Sequence, residues 1–133
     1  MNARGNRGAV LLEFALVAML LVALATGLAD AGIAFRIKHV LKIAAREGAR
    51  VASVTPGLQA NDPVVLDVVS EILATSNVTG AAATVNPGGP DTGEPVTVEV
   101  TYTYVPLFPA AGLALGGGLE LRSATTMRYE VVS

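Results

Sequence analysis

The sequence predicts an α+β protein in which a long N-terminal membrane-spanning helix continues into an extracytoplasmic domain with a second helix and a two- or three-stranded antiparallel sheet. Three observations favour this class. An apolar run near the N-terminus is long enough to cross a bilayer, helix-compatible sequence continues well beyond it, and the second half alternates between apolar and polar residues. With 133 residues, of which 52% are hydrophobic and 15% charged, the chain has room for one small domain beside a membrane anchor.

The apolar run covers residues 9–29, where Glu13 is the only charged residue. A helix of this length extends over ~31 Å, which matches the ~30 Å hydrocarbon layer of a bilayer. Three interpretations compete: a secretory signal peptide cut near residues 23–25 (ALA), an uncleaved membrane anchor, and a processed helix in which Gly8 and Glu13 act together. The charge inside the run and the helix-compatible sequence across the supposed cut argue against the signal peptide.

One helix is predicted from residue 9 to residue 54, because no strong helix breaker occurs before the TPG sequence at residues 55–57. Residues 30–54 lie beyond the bilayer and are amphipathic. Their apolar residues recur at steps of three and four, so this face requires a cover. They are Ile33, Ile37, Val40, Leu41, Ala44, Gly48 and Val51. The small residues beside Gly48 would let another helix or a sheet approach closely.

A second helix and three strands are predicted in the rest of the chain. The helix begins at Pro63, after the cap candidates Asn61 and Asp62, and ends near Ser76. The strands are predicted over residues 81–85, 96–104 and 119–131, the last two because their apolar and polar residues alternate. An antiparallel sheet with its apolar face against the helices follows from this pattern.

Residues 105–118 connect the last two strands and are strongly apolar for a surface loop. The candidate interaction residues are Pro106, Leu107, Phe108 and Pro109. Either this loop contacts a partner in an assembly, or it folds back over the core of its own domain, and the sequence favours neither.

Composition excludes several kinds of function. The chain has no cysteine, which excludes disulfides and thiolate sites, and its single histidine, His39, has no second imidazole to join it. We therefore expect no enzyme, no catalytic residue, no metal and no cofactor. Residues 1–50 carry a net charge of +4 and residues 51–133 a net charge of −6. The basic residues after the apolar run form a solvated helix face, and with an acidic domain behind them we expect no nucleic-acid partner.

Residues 4–14 read RGNRGAVLLEF, a basic leader, a glycine, four apolar residues and then Glu13 and Phe14. This pattern resembles the processing site of type IV pilin-like proteins. The resemblance implies that a prepilin peptidase removes residues 1–8 by cutting between Gly8 and Ala9. A carboxylate inside a bilayer is costly, and the new α-amino group at Ala9 of an adjacent subunit would provide Glu13 with a partner.

The stretch from Gly8 to Val51, which includes IAAREGAR, resembles the start of TadE-like proteins, minor pilin or pseudopilin components of tight adherence (Tad) pili. The strands at 96–104 and 119–130, with the apolar connection between them, resemble the carboxyl-terminal sheet of that family. The resemblance implies four segments: a leader (1–8), a transmembrane half-helix (9–29), its amphipathic extension (30–54) and an α+β head (55–133).

The same resemblance implies partners and a location. The partners are a prepilin peptidase, other pilin-like subunits in a homo- or hetero-assembly, an inner-membrane assembly platform and the lipid bilayer. The expected location is the cytoplasmic membrane, crossed once with the C-terminal domain outside the cytoplasm, and an extracellular adhesive pilus after processing. The alternative is an uncleaved, membrane-anchored extracytoplasmic binding or accessory domain.

Overall fold

The computed structural model describes residues 3–89, 93–108, 112–113 and 115–130. It confirms the α+β class, with a long apolar N-terminal helix, a second helix and a three-stranded antiparallel sheet. In chain order the elements are α1 (Ala3–Val54), α2 (Pro63–Thr75), β1 (Ala82–Pro87), β2 (Pro95–Tyr104) and β3 (Leu119–Arg128).

Helix α1 begins at Ala3, earlier than the predicted start at residue 9. The reason is that the leader contains no proline, and a glycine costs a helix only ~1 kcal/mol, so nothing prevents the helix from extending through it. Its predicted end is confirmed, because α1 stops at Val54, directly before the TPG sequence.

Helix α2 has the caps that its sequence predicts. The carboxylate of Asp62 accepts a hydrogen bond from the backbone N–H of Val64 at 3.0 Å, and Pro63 occupies the first helical position, where no amide donor is needed. At the other end, the N–H of Ser76 donates to the carbonyl of Ile72 at 3.1 Å. Side chains Val65, Val69 and Leu73 are buried and form the apolar face of the helix.

The sheet has the order β1-β2-β3, and both pairings are antiparallel. Strand β2 is central and alternates as predicted, with Val96, Val98 and Val100 fully buried on one face. Its register with β3 pairs Tyr104 with Leu119 at one end of the sheet and Pro95 with Arg128 at the other. The loop over residues 105–118 therefore emerges at the Tyr104 end.

The core lies between the second half of α1 and the cover formed by α2 and the sheet. The small residues of α1 are completely buried there, so the predicted close approach is confirmed. They are Ala44, Ala45, Ala49 and Ala52. A Cβ atom on Gly48 would lie 2.6 Å from Cγ2 of Val69 and 3.1 Å from Cγ1 of Val98, which leaves no room for a side chain.

The sheet is anchored to α1 at two levels. Just beyond the C-terminal end of α1, the hydroxyl of Tyr129 donates to the carbonyl of Thr55 at 2.8 Å and accepts from the N–H of Gly57 at 3.1 Å. Nearer the apolar run, the hydroxyl of Tyr104 donates to the carboxylate of Asp30. These two levels are separated by ~37 Å of helix, close to the ~33 Å length of a ten-residue strand. Val131, which belongs to the predicted face of the last strand, lies outside the described residues.

Candidate functional site

The predicted processing site lies within the exposed first turns of α1. Ala9, Glu13 and Phe14 are all exposed, and no atom lies within 4 Å of the position that a Cβ on Gly8 would take. Ala9 and Glu13 are four residues apart and share one helix face. No hydrogen bond or ion pair involves the carboxylate of Glu13 within the described part of the chain. The roles assigned to these four residues stay predictions.

The apolar run of α1 is a candidate membrane span. The window of 18 residues that defines it has a mean hydropathy of 2.5, and none of it is buried within the protein. Its large side chains stay more than half exposed. Examples are Val10, Leu11, Leu12, Leu16, Met19, Leu20, Val22, Leu24 and Leu28. Such a continuous apolar surface requires lipid or other helices around it, because a soluble protein rarely exposes an apolar patch of this size.

Asp30 ends this span and holds the β2–β3 loop against α1. One carboxylate oxygen, Oδ1, accepts from the Tyr104 hydroxyl at 2.7 Å and from the N–H of Leu107 at 2.8 Å. The other, Oδ2, accepts from the N–H of Phe108 at 3.1 Å. The side chain is 8% exposed, so these three bonds replace most of its water. Asp30 thus joins residues that are more than 70 positions apart in the sequence.

The two ionisable groups in this contact shift in opposite directions. The Tyr104 hydroxyl, followed by the N–H of Leu107 and then that of Phe108, lowers the pKa of Asp30 below 3.8, although partial burial opposes the shift. Burial, reinforced by the hydrogen bond to Asp30, raises the pKa of Tyr104 to about 12. At neutral pH the contact is therefore a carboxylate that accepts from a neutral phenol and two amides.

The predicted interaction loop folds back onto α1 at this point. Pro106 and Phe108 are partly buried, whereas Leu107 is 65% exposed. Pro106 and Phe108, together with Leu115 and Leu119, border a groove whose other wall is the face of α1 at Gly27, Asp30, Ala31 and Ala34. The described part of the loop thus packs on the helix of its own chain rather than over the core between helices and sheet. Pro109 lies outside the described residues.

Sequence reasoning missed Asp30 and Tyr104. Asp30 is the first charged residue after Glu13, directly behind the apolar run, and Tyr104 is the last residue of the alternating strand. Both residues mark boundaries in the sequence pattern. Their contact could not be predicted from that pattern, because it depends on the direction in which the sheet packs along α1.

The basic residues of α1 are distributed as a solvated face. Lys38, Lys42 and Arg46 are exposed, and Arg50 forms an ion pair with Glu47 at 2.8 Å. No group of three or more acidic or histidine side chains within the described ranges is placed to hold a metal ion. That the protein has no metal, no cofactor and no enzymatic activity stays a prediction.

Comparison with known families identifies the N-terminal part of the chain. The pattern of the family described as TadE-like protein matches residues 8–50, less than half of the chain, and confirms the resemblance there. The match includes the candidate span and Asp30 but ends before the head, so the resemblance of residues 96–130 stays a prediction. Neither curated proteins nor solved structures gave a match.

Proposed function

We propose that this chain, a TadE-like protein over residues 8–50, is a non-enzymatic minor pilin or pseudopilin that assembles through lateral packing of α1. One observation carries the proposal: α1 is a single helix whose first half is an exposed apolar rod and whose second half is the spine of the head. The rod offers most of its circumference to lipid or to neighbouring helices, since only its face from Ala18 to Thr26 lies beside the β2–β3 loop. The head cannot separate from it, because α1 contributes one side of the core.

Processing would convert this membrane protein into a subunit that can leave the bilayer. Removal of residues 1–8 deletes Arg4 and Arg7 and changes the formal net charge from −2 to −4. Basic residues on the cytoplasmic side hold a membrane helix in place, so their loss weakens that anchor. No atom of the described chain covers the cut site, since Gly8 has open space on the surface of α1.

Glu13 would then set the axial position of one subunit against the next. Its carboxylate lies four residues beyond Ala9, which corresponds to ~6 Å along a helix. A neighbour displaced by that rise would place its new α-amino group at the depth of Glu13. Such a pair in a partly dehydrated site offsets the cost of holding the carboxylate in lipid, ~2.5–3.5 kcal/mol at mid-bilayer.

The proposed partners follow from these steps. A prepilin peptidase would cut at Gly8, other pilin-like subunits would surround residues 9–29, and an inner-membrane assembly platform would receive the processed helix. The head would lie outside the cytoplasm, with an adhesive pilus as the final location. Exposed Lys38, Lys42 and Arg46 would face solvent, and no nucleic acid is expected to bind.

Mass spectrometry of the protein extracted from membranes tests this function. The expected N-terminus is Ala9. An N-terminus at residue 1 would support the uncleaved anchor of a binding or accessory domain. An N-terminus near residue 26 would support a secreted head domain. Either of these two results would contradict the proposal.

A further inference from the structure

The β2–β3 loop is unusual because it contains no polar side chain. Residues 105–119 read VPLFPAAGLALGGGL, whereas charged residues resume at Glu120. Pro106 and Phe108 pack partly against α1, whereas other aliphatic side chains of this segment are exposed. Leu113 is 87% exposed, Leu107 65% and Val105 64%. A loop in contact with water alone would normally be polar.

This loop lies alongside the candidate membrane span. Leu107 and Phe108 form one wall of an apolar groove whose other wall is the face of α1 from Ala18 to Thr26. Thr26 is ~6 Å closer to the N-terminus than Asp30 along the helix axis, and Val22 is ~12 Å closer. If residues 9–29 fill the hydrocarbon layer, side chains of the loop extend below the level of Asp30 into the outer edge of that layer.

Several backbone amides of the loop have hydrogen-bond partners within the protein. Two of its amides, those of Leu107 and Phe108, donate to the Asp30 carboxylate. The N–H of Gly112 donates to the carbonyl of Phe108 at 3.2 Å, and that of Gly117 to the carbonyl of Gly112 at 2.8 Å. Non-helical backbone at membrane depth is tolerated only where it is buried in protein or lines a water-filled cavity. The amides of Leu107 and Phe108 meet this condition, because both donate to the buried carboxylate of Asp30.

Polar residues begin where the headgroups would lie. Arg36 and Lys38 are ~9 and ~12 Å beyond Asp30 along α1. Both are exposed, but the guanidinium of Arg36 donates to the carbonyl of Ser76 at 3.1 Å, which leaves Lys38 without a described partner. Phe35, between Asp30 and these charges, is 75% exposed and continues the apolar surface toward them. Long basic side chains at this height reach lipid phosphates readily.

We propose that the exposed side chains of Leu107 and Leu113 in the β2–β3 loop insert into the outer leaflet as a second membrane contact, with lipid acyl chains around them. Leu107 borders the groove along the span, and residues 105–118 contain no charged or hydrogen-bonding side chain that would specify a protein partner. Asp30 couples the two contacts, because it joins the end of the span to the loop. The proposal rests on the proposed membrane placement of residues 9–29.

Tryptophan fluorescence tests this proposal, since the chain has no tryptophan of its own. The full chain with Leu113→Trp or, separately, Leu107→Trp is reconstituted into phosphatidylcholine and phosphatidylglycerol vesicles. Part of the phosphatidylcholine is brominated on its acyl chains, and bromine quenches only within contact range. Leu24→Trp, at an exposed position in the span, is the lipid control, and Gln59→Trp, beyond the far end of α1, is the water control.

Both loop variants should emit at blue-shifted wavelengths and lose intensity like Leu24→Trp, with the strongest loss from bromine near the headgroups. Gln59→Trp should keep its intensity. Red-shifted, unquenched emission from both loop variants would overturn the insertion. Blue-shifted but unquenched emission would overturn it too, because it would indicate burial against a second protein. An unquenched Leu24→Trp would refute the membrane placement, and the proposed function with it.

Discussion

Gly48 is a position where α1 closely approaches both α2 and β2, so it tests how the head is attached. A Cβ there would lie 2.6 Å from Cγ2 of Val69, 3.1 Å from Cγ1 of Val98 and 3.6 Å from Cγ1 of Val65. All three valines are fully buried, so no neighbour can move into solvent. Gly48→Ala should therefore destabilise the protein.

Two opposing effects set the size of this change. Alanine in place of glycine favours a helix interior by ~1 kcal/mol. Overpacking a core typically costs ~1–3 kcal/mol, and the upper half of that range applies because Val69 is a β-branched residue with one strongly preferred rotamer in a helix. We expect the free energy of unfolding to fall by about 1–2 kcal/mol. For a head of this size, ~1 kcal/mol lowers Tm by ~4–8 °C.

Gly32→Ala is the matched control. Gly32 lies on the same helix, but nothing is within 4 Å of its Cβ position, so the helix gains ~1 kcal/mol without overpacking. The assay is thermal unfolding of the full chain in detergent, followed by tyrosine fluorescence, because Tyr102, Tyr104 and Tyr129 all lie in the head and the chain has no tryptophan. Adding Val69→Ala should make Gly48→Ala far less harmful. Equal stabilisation by both glycine variants would refute this packing.

Three further predictions concern the span and its two ends. Glu13→Ala should insert normally, since it removes a charge from the bilayer, but should strongly reduce incorporation into pili; wild-type piliation would contradict the pairing. Gly8→Trp should block the appearance of an Ala9 N-terminus in mass spectra, whereas Gly5→Trp in the same leader should not, and normal maturation of the first would exclude Gly8 as the cut site. Hydrogen bonding lowers the pKa of Asp30 in the folded protein. The stability that this carboxylate contributes is therefore complete above pH 3.8 and is lost as the pH falls through the lowered pKa of the folded state. Acid titration of unfolding should show this loss in the wild type and not in Asp30→Ala; identical titrations would contradict the contact.

Local patterns predicted most of the fold. Alternation along residues 96–104 identified the central strand, and the Asp62-Pro63 pair identified the start of α2, because each signal depends on neighbours in the sequence. The ends of two strands differ from the prediction: β1 continues to Pro87 rather than residue 85, and β3 ends at Arg128 rather than residue 131. The start of α1 differs too. The leader lacks a residue that would stop a helix, so the helix extends back to Ala3.

The contact at Asp30 could not be predicted in this way. It joins α1 to residues more than 70 positions later, and it forms only because β2 runs along α1 with its Tyr104 end toward the span. Sequence periodicity determines which face of a strand is buried. It does not determine in which direction the strand runs along the helix that covers it. For the same reason, the sequence left open whether the loop packs on its own chain.

The two acidic residues that bracket the span illustrate how surroundings assign different roles to one side-chain type. Glu13 and Asp30 are separated by 17 residues, or ~26 Å of helix, and lie at opposite ends of the apolar run. Asp30 has its partners within the chain: a phenol and two amides satisfy its carboxylate. Glu13 is exposed on a bare helix, where the described residues supply nothing comparable. A carboxylate already satisfied has little to gain from a neighbouring subunit, whereas an unsatisfied one in lipid gains most. Intersubunit pairing is therefore expected at the N-terminal end of the span, and attachment of the head at its other end.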